Sequence, residues 1–381
     1  MPKLPDLAAP DPAPPPDPVL PDPSLPDRAR KGRGAVSNRP GRYEPGERPR
    51  EDDGWGADGF EEEFPPLRTS VQPDKSRSVV TFNESPDVGF DRSINPYRGC
   101  EHGCVYCFAR PTHAYLGLSP GLDFETRLFA KHDAPTLLAK ELSRPTYKPM
   151  PIGLGTNTDP YQPIERSHRI TRGILEVLER FGHPVTIVTK SALVLRDRDI
   201  LARMAERRLV DVTISVTTLD ADLARRMEPR APQPRLRLMA IEGLAREGIP
   251  VGVLAAPMIP ALNDQELEAI LEAAKSAGAS MAGYALLRLP LELKDLMTEW
   301  LDAHAPGKAK HVLSLVRETR GGMLYRAGFG ERMRGTGPYA ELLRQRFRLA
   351  AKRLELNRRR PNLRIDLFQR PEPDTPQLKL L

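Results

Sequence analysis

Val185-Thr-Ile-Val-Thr189 and Val210-Asp-Val-Thr-Ile-Ser-Val-Thr217 are two densely β-branched runs. Branching at Cβ stiffens χ1 and suits a pleated strand, and near-continuous runs of this kind are expected where a strand is buried on both faces. Residues 200–209 between them have helical spacing. The alternation extends in both directions. Downstream, 235–247 reads as a helix closed by Gly248, 250–258 as a strand, 264–277 as a helix, 281–289 as a strand and 291–303 as a helix. Upstream, 151–156 is a short apolar, glycine-containing run. It is followed by a helix over 164–181, where Ile170, Ile174, Leu175, Val177, Leu178 and Phe181 recur at helical intervals before the stop at Gly182. Residues 78–82 read as a short strand, and Ser93-Ile94-Asn95-Pro96 leads into the segment that follows. With one strand before that segment, six strands are expected, most of them followed by a helix. Such an order implies an α/β fold with a parallel sheet and right-handed crossovers. Six units fit a doubly wound sheet or a partial (β/α)6 barrel, and periodicity does not separate the two.

The regions outside this alternation differ in texture. Of 41 prolines, 16 fall in residues 1–70, a stretch with almost no apolar run. A chain of that composition cannot bury enough surface to offset its ordering entropy, so 1–74 is expected to be a disordered, proline-rich extension. The core is expected over 75–306 and a basic helical extension over 307–381. That last segment holds most of the positive charge. Residues 307–370 carry 17 Lys/Arg against 5 Asp/Glu, although the whole chain is only +6. Helices are expected at 311–320 and 339–357, the second with Leu342, Leu343, Phe347, Leu349 and Leu354 as an apolar stripe. Nowhere do apolar residues run for the ~18 positions a membrane-spanning helix needs. The start, Met1-Pro-Lys-Leu-Pro-Asp6, lacks the apolar centre of a secretory signal. Three cysteines are too few for a disulfide framework, so a reducing cytoplasm is the expected setting.

All three cysteines lie within eight residues, in Cys100-Glu-His-Gly-Cys104-Val-Tyr-Cys107. Thiolates are soft ligands, and one loop with this spacing can wrap a single soft metal centre. Zinc would require a fourth ligand, for which His102 and His113 are candidates. An iron–sulfur cubane held by three thiolates would leave one iron open. The segment follows the first strand, at the rim where barrel and open-sheet enzymes place their chemistry.

Cys-x3-Cys-x2-Cys with Tyr106 before the last cysteine resembles the cluster loop of the radical S-adenosylmethionine (SAM) superfamily. The wider stretch Asn95-Pro-Tyr-Arg-Gly-Cys100 through Cys107-Phe-Ala-Arg110 is similar to the branch related to spore photoproduct lyase. So is Thr156-Asn-Thr-Asp-Pro-Tyr-Gln-Pro-Ile-Glu165. The resemblance covers roughly residues 75–305. It implies a partial (β/α)6 barrel, with Cys100, Cys104 and Cys107 ligating three irons of a [4Fe–4S] cluster and SAM chelating the fourth. It further implies reductive cleavage of SAM to a 5′-deoxyadenosyl radical, fed by an external flavodoxin- or ferredoxin-like one-electron donor. Thr158 and Asp159 would approach the methionyl end of SAM, Lys190 its carboxylate, and Ser215 the same region. Thr158-Asp159-Pro160 is equally a turn signal. Photoproduct lyases use a further cysteine as hydrogen donor, at a position aligning near Thr156. This chain has no fourth cysteine, so that reaction is not implied, and neither is an auxiliary cysteine-ligated cluster. The substrate is not specified. The basic segment, with Arg344, Arg346, Arg348, Lys352, Arg353 and Arg358 to Arg360, offers a nucleic-acid contact or simply a solvated helix face.

Overall fold

The computed structural model describes residues 28–44, 67–358 and 362–371. Ten strands occur in chain order: β1 Ser70–Pro73, β2 Val80–Phe82, β3 Arg92–Ile94, β4 Tyr97–Arg98, β5 Arg127–Ala130, β6 Ile152–Leu154, β7 Val185–Thr189, β8 Val210–Ser215, β9 Val251–Met258 and β10 Met281–Leu286. Seven form one sheet in the order β10-β9-β8-β7-β6-β3-β2, parallel throughout except for the antiparallel β2–β3 pair at one edge.

From β3 to β10 spatial order follows chain order without reversal. A doubly wound sheet reverses at a switch point; a singly wound one keeps adding strands on the same side and curls toward a barrel. The winding therefore selects the partial (β/α)6 arrangement. β3 and β10 share no ladder, so the sheet stays open between its first and last parallel strands. The strand expected before the cysteines, Val80–Phe82, caps the edge antiparallel, and the first parallel strand is Arg92–Ile94, within the stretch read as a lead into the cysteine segment.

The helices Ala134–Leu142, Ile170–Arg180, Arg198–Glu206, Pro234–Arg246 and Leu267–Ser276 pack in sequence along the sheet. Val185, Ile187, Val212, Ile214 and Val253 join Ile174, Leu178, Ile200, Ile241 and Leu244 in one apolar cluster. Burial on both strand faces is not observed. Thr186, Val188, Asp211 and Thr213, on the alternate face, are only half-buried, and Thr186 donates to Asp211 at 2.6 Å. An open barrel leaves that face less filled.

The flanking segments depart from expectation. Ser70–Pro73 is a strand and pairs in parallel with β5, which also takes β4 antiparallel, so a second small sheet frames the cysteine segment. Arg33, Ala35, Val36 and Ser37 are buried. Part of the proline-rich stretch is thus folded, because its backbone meets a buried carboxylate distant in sequence rather than burying an apolar run of its own. The remainder of 1–74 lies outside the described residues.

The end of the chain is likewise part of the body. Leu343, Ala350 and Ala351 of helix Gly337–Arg353 enter the main apolar cluster, whereas Leu342 and Leu349 of the expected stripe are exposed. Arg346 pairs with Glu268, Arg353 with Glu272 and Arg344 with Glu341, so these arginines are engaged by carboxylates of the chain itself. No helix among the described residues is long and apolar enough to cross a membrane.

His183 gives the fold a measurable pH dependence. It is fully buried, with Nδ1 2.9 Å from the Pro184 carbonyl and Nε2 2.8 Å from the Tyr147 hydroxyl. Burial lowers its pKa from 6.5 to about 4. The unfolded imidazole takes up a proton first, so this stabilisation is present above pH 6.5 and is lost as pH falls toward 4. Between pH 7 and pH 5 the loss should be about 2 kcal/mol. Urea unfolding of the parent and His183→Gln at the two pH values checks this, the variant being expected to show the smaller drop. Equal drops would refute the assignment.

Candidate functional site

The cysteine loop runs from β4 to β5, and its shape is fixed by main-chain turns. Gly103 N donates to the Cys100 carbonyl at 3.3 Å, Cys107 N to Cys104 at 3.3 Å and Arg110 N to Cys107 at 3.1 Å. Gly99 stands at φ +73°, where a Cβ would lie 2.9 Å from the Phe124 carbonyl oxygen. Arg110, fully buried, clamps the loop from below. It donates to the carbonyls of Cys104 (2.8 Å), Gly103 (3.1 Å), Pro120 (3.1 Å) and Gly121 (2.8 Å), and pairs with the carboxylate of Glu125. Glu101 is tied to Gln162 through its backbone and to Thr69 and Arg230 through its carboxylate.

Cys100 and Cys104 are buried and Cys107 half-buried, all as free thiols. Burial raises the pKa of Cys100 and of Cys104, and neighbouring thiols add to the effect. Three thiols in one loop, with Cys100 and Cys104 costly to ionise without a bound cation, suit a metal centre.

The donor geometry bears on which one. Among the described residues no three His, Cys, Asp or Glu side chains converge as a single metal ion requires. His102 Nδ1 lies 3.5 Å from Asp159, with burial lowering its pKa to about 4, and His113 Nε2 sits 3.0 Å from the Arg127 carbonyl while its ring packs edge-on to Phe124. Three thiols on one loop are a donor set that a cubane would accept, one thiolate on each of three irons.

The other expected residues lie along the same rim. Lys190 follows β7 and holds its ammonium 5.6 Å from the Tyr106 ring centroid, close enough to bias Cys104 electrostatically. Among the described residues no carboxylate pairs with it. Ser215 ends β8, buried, with its hydroxyl donating to the Ala256 carbonyl at 3.2 Å. Thr158 donates to the Tyr97 carbonyl at 2.9 Å. Asp159 accepts from Thr189 Oγ1 (2.6 Å), Lys190 N (2.8 Å) and Tyr161 N (2.9 Å). Both side chains thus build the turn, and Asp159 also sets the direction of the chain at Lys190.

Beneath the loop lies a polar cluster whose role the sequence does not reveal. Glu228 is fully buried and accepts from Tyr106 Oη, from Thr217 Oγ1 at 2.8 Å and from Arg237. Burial raises its pKa, while Arg237 opposes the shift. Glu228 anchors Tyr106, and Arg230 holds Glu101, so both stabilise the loop. Arg235 is exposed.

Residues 94–274 match the radical SAM superfamily. That stretch, just under half of the chain, is similar to radical SAM domains. An uncharacterised protein of Mycobacterium tuberculosis is 38% identical over 204 residues, which are 52% of this chain and 60% of that protein. The match therefore spans under two thirds of the mycobacterial protein's length. An uncharacterised protein of Methanocaldococcus jannaschii is 26% identical over 201 residues, 52% of this chain and 73% of that protein. Among solved structures, a variant of spore photoproduct lyase superposes with TM-score 0.52 at 17% identity, covering 74% of this chain and 78% of that one. Another variant of that enzyme, with bound AdoMet and dinucleoside spore photoproduct, gives TM-score 0.52 at 15% identity. At such identities the likeness establishes fold. The matched radical SAM stretch begins at the last residue of β3 and includes the cysteine loop, Lys190 and Ser215, but ends before β10.

Proposed function

We propose that this protein is a radical SAM enzyme in which Cys100, Cys104 and Cys107 hold a [4Fe–4S] cluster whose open iron takes SAM. The carrying observation is three free thiols on one clamped loop at the C-terminal rim, facing an ammonium that no carboxylate neutralises among the described residues. When bound, that pair of cofactors supplies reductive cleavage of the sulfonium to methionine and a 5′-deoxyadenosyl radical, with the electron coming from an external flavodoxin- or ferredoxin-like donor. The chain's own part is placement. Lys190 offers its charge to the carboxylate of SAM, and Ser215 stands beside it at the end of the neighbouring strand. Thr158 and Asp159 contribute by shaping the turn that lines the site. Arg110, Tyr106 and Glu228 keep the loop rigid and exclude water from its inner side.

Anaerobically reconstituted protein with SAM and dithionite should produce 5′-deoxyadenosine. Lys190→Ala should keep its iron and sulfide but bind SAM at least tenfold more weakly, the expected cost of one charge-assisted contact. Unchanged SAM affinity would remove Lys190 from the site. Absence of 5′-deoxyadenosine from iron-free, zinc-containing protein would remove the enzymatic reading altogether.

A further inference from the structure

Beyond the matched stretch, two arginines meet at the same rim. Arg288 lies just past β10, its guanidinium 4.1 Å from the ring centroid of Phe108, the neighbour of Cys107. Its hydrogen-bond partner is the Met333 sulfur, 3.0 Å from Nη1. Arg320 is 1% exposed and donates to the carbonyls of Glu331 (2.6 Å) and Leu287 (2.9 Å), while its Nε has no partner. Among the described residues no carboxylate lies at ion-pair distance from either guanidinium. Asp87, the acid that faces Arg288, is already engaged by Arg332 and by Gly330 N. Glu331, the acid that faces Arg320, pairs with Arg326 at 3.5 Å. Burial and mutual repulsion lower the pKa of Arg320 to about 10, and burial depresses that of Arg288.

Buried guanidinium groups ordinarily carry a carboxylate, because desolvation without a counter-charge is costly. Here the buried Arg320 and the half-buried Arg288 both lack a paired one, and Arg288 does so beside the cysteine loop. Tyr325, near both, is a further hydrogen-bonding group. The loop that follows Arg320 crosses from the β10 side to the β2–β3 hairpin through Arg332 and Asp87, so these groups stand where the sheet is open.

We propose that Arg288 and Arg320 form the binding site for a phosphate group of the substrate, placed at the open side of the barrel next to the cysteine loop. A planar guanidinium fork matches phosphate oxygens in bidentate fashion, and two unpaired positive charges suit a dianion. The proposal rests on the enzymatic reading for the word substrate, but phosphate binding itself requires neither iron nor SAM. The two can therefore fail separately.

Calorimetric titration of the full chain with inorganic phosphate, in chloride buffer, tests it. The parent should bind saturably. Arg288→Gln should weaken binding at least tenfold, and Arg348→Gln, an equal loss of charge on the exposed face of the last helix, should leave it unchanged. Arg288→Lys, which keeps the charge without the fork, should be weakened at least threefold and serves if the glutamine variant fails to fold. Competition by a nucleoside 5′-monophosphate and by a short single-stranded oligonucleotide then separates a free phosphomonoester from a nucleic-acid backbone; displacement by either supports the site. Equal phosphate affinity in parent and Arg288 variants, or no saturable binding by the parent, would overturn it.

Discussion

Cys104→Ala is expected to yield a folded protein without a cluster: no bound iron above background, no acid-labile sulfide, no brown colour and no 5′-deoxyadenosine. The loop does not depend on that sulfur for its path. The Cys104 carbonyl is held by Arg110 Nε at 2.8 Å and by Cys107 N at 3.3 Å, and Val105 N donates to the Met227 carbonyl at 3.0 Å. Deleting one buried sulfur should cost on the order of 1 kcal/mol, a small part of a domain's stability. Cluster assembly responds differently, because two remaining thiolates cannot supply three irons. Iron and sulfide analysis together with a urea midpoint reads both effects. Iron and sulfide equal to the parent's would sink the ligand assignment. A collapse of stability would show instead that the sulfur is a packing element.

The same loop shows how far residues can be read without coordinates. The three cysteines are legible because soft ligands crowded into one short stretch point to a bound metal centre, and the strands β7 and β8 because β-branched runs advertise themselves. The direction of winding is not legible: it depends on which strand pairs with which, and a six-unit alternation is the same string in a doubly wound sheet. Strands β1, β4 and β5 escape for a related reason. They are two to four residues long, and their register is set by partners up to about sixty residues away. Thr158 and Asp159 illustrate a different ambiguity. A polar pair before Pro160 satisfies a turn and a ligand site equally in sequence; the partners of the two side chains show the turn, and their contact with SAM stays a proposal. Arg288 and Arg320 read as two charges in an arginine-rich chain until the want of a paired carboxylate beside them becomes visible.

Glu125→Ala should be the most destabilising single change near the loop. Its carboxylate is fully buried and has three partners: Arg110, also fully buried, and the backbone N–H groups of Gly34 (3.0 Å) and Ala35 (2.8 Å). Removing it leaves the Arg110 guanidinium without counter-charge and frees the segment around Ala35. Breaking a buried pair from one side costs about 3–5 kcal/mol, a large share of a typical domain's stability. The variant should therefore unfold at a lower urea concentration and fail to retain iron, since Arg110 is the clamp on the Gly103 and Cys104 carbonyls. Gly34→Ala separates the two contributions. A Cβ there would lie 1.8 Å from the Gly103 carbonyl oxygen, so the segment must lift while Glu125 and Arg110 stay paired. Protease cleavage within residues 28–44 should then appear in Gly34→Ala with only a minor change in urea midpoint, whereas Glu125→Ala should show both. If Glu125→Ala matched the parent in midpoint and iron content, the buried pair would not be what holds the cysteine loop.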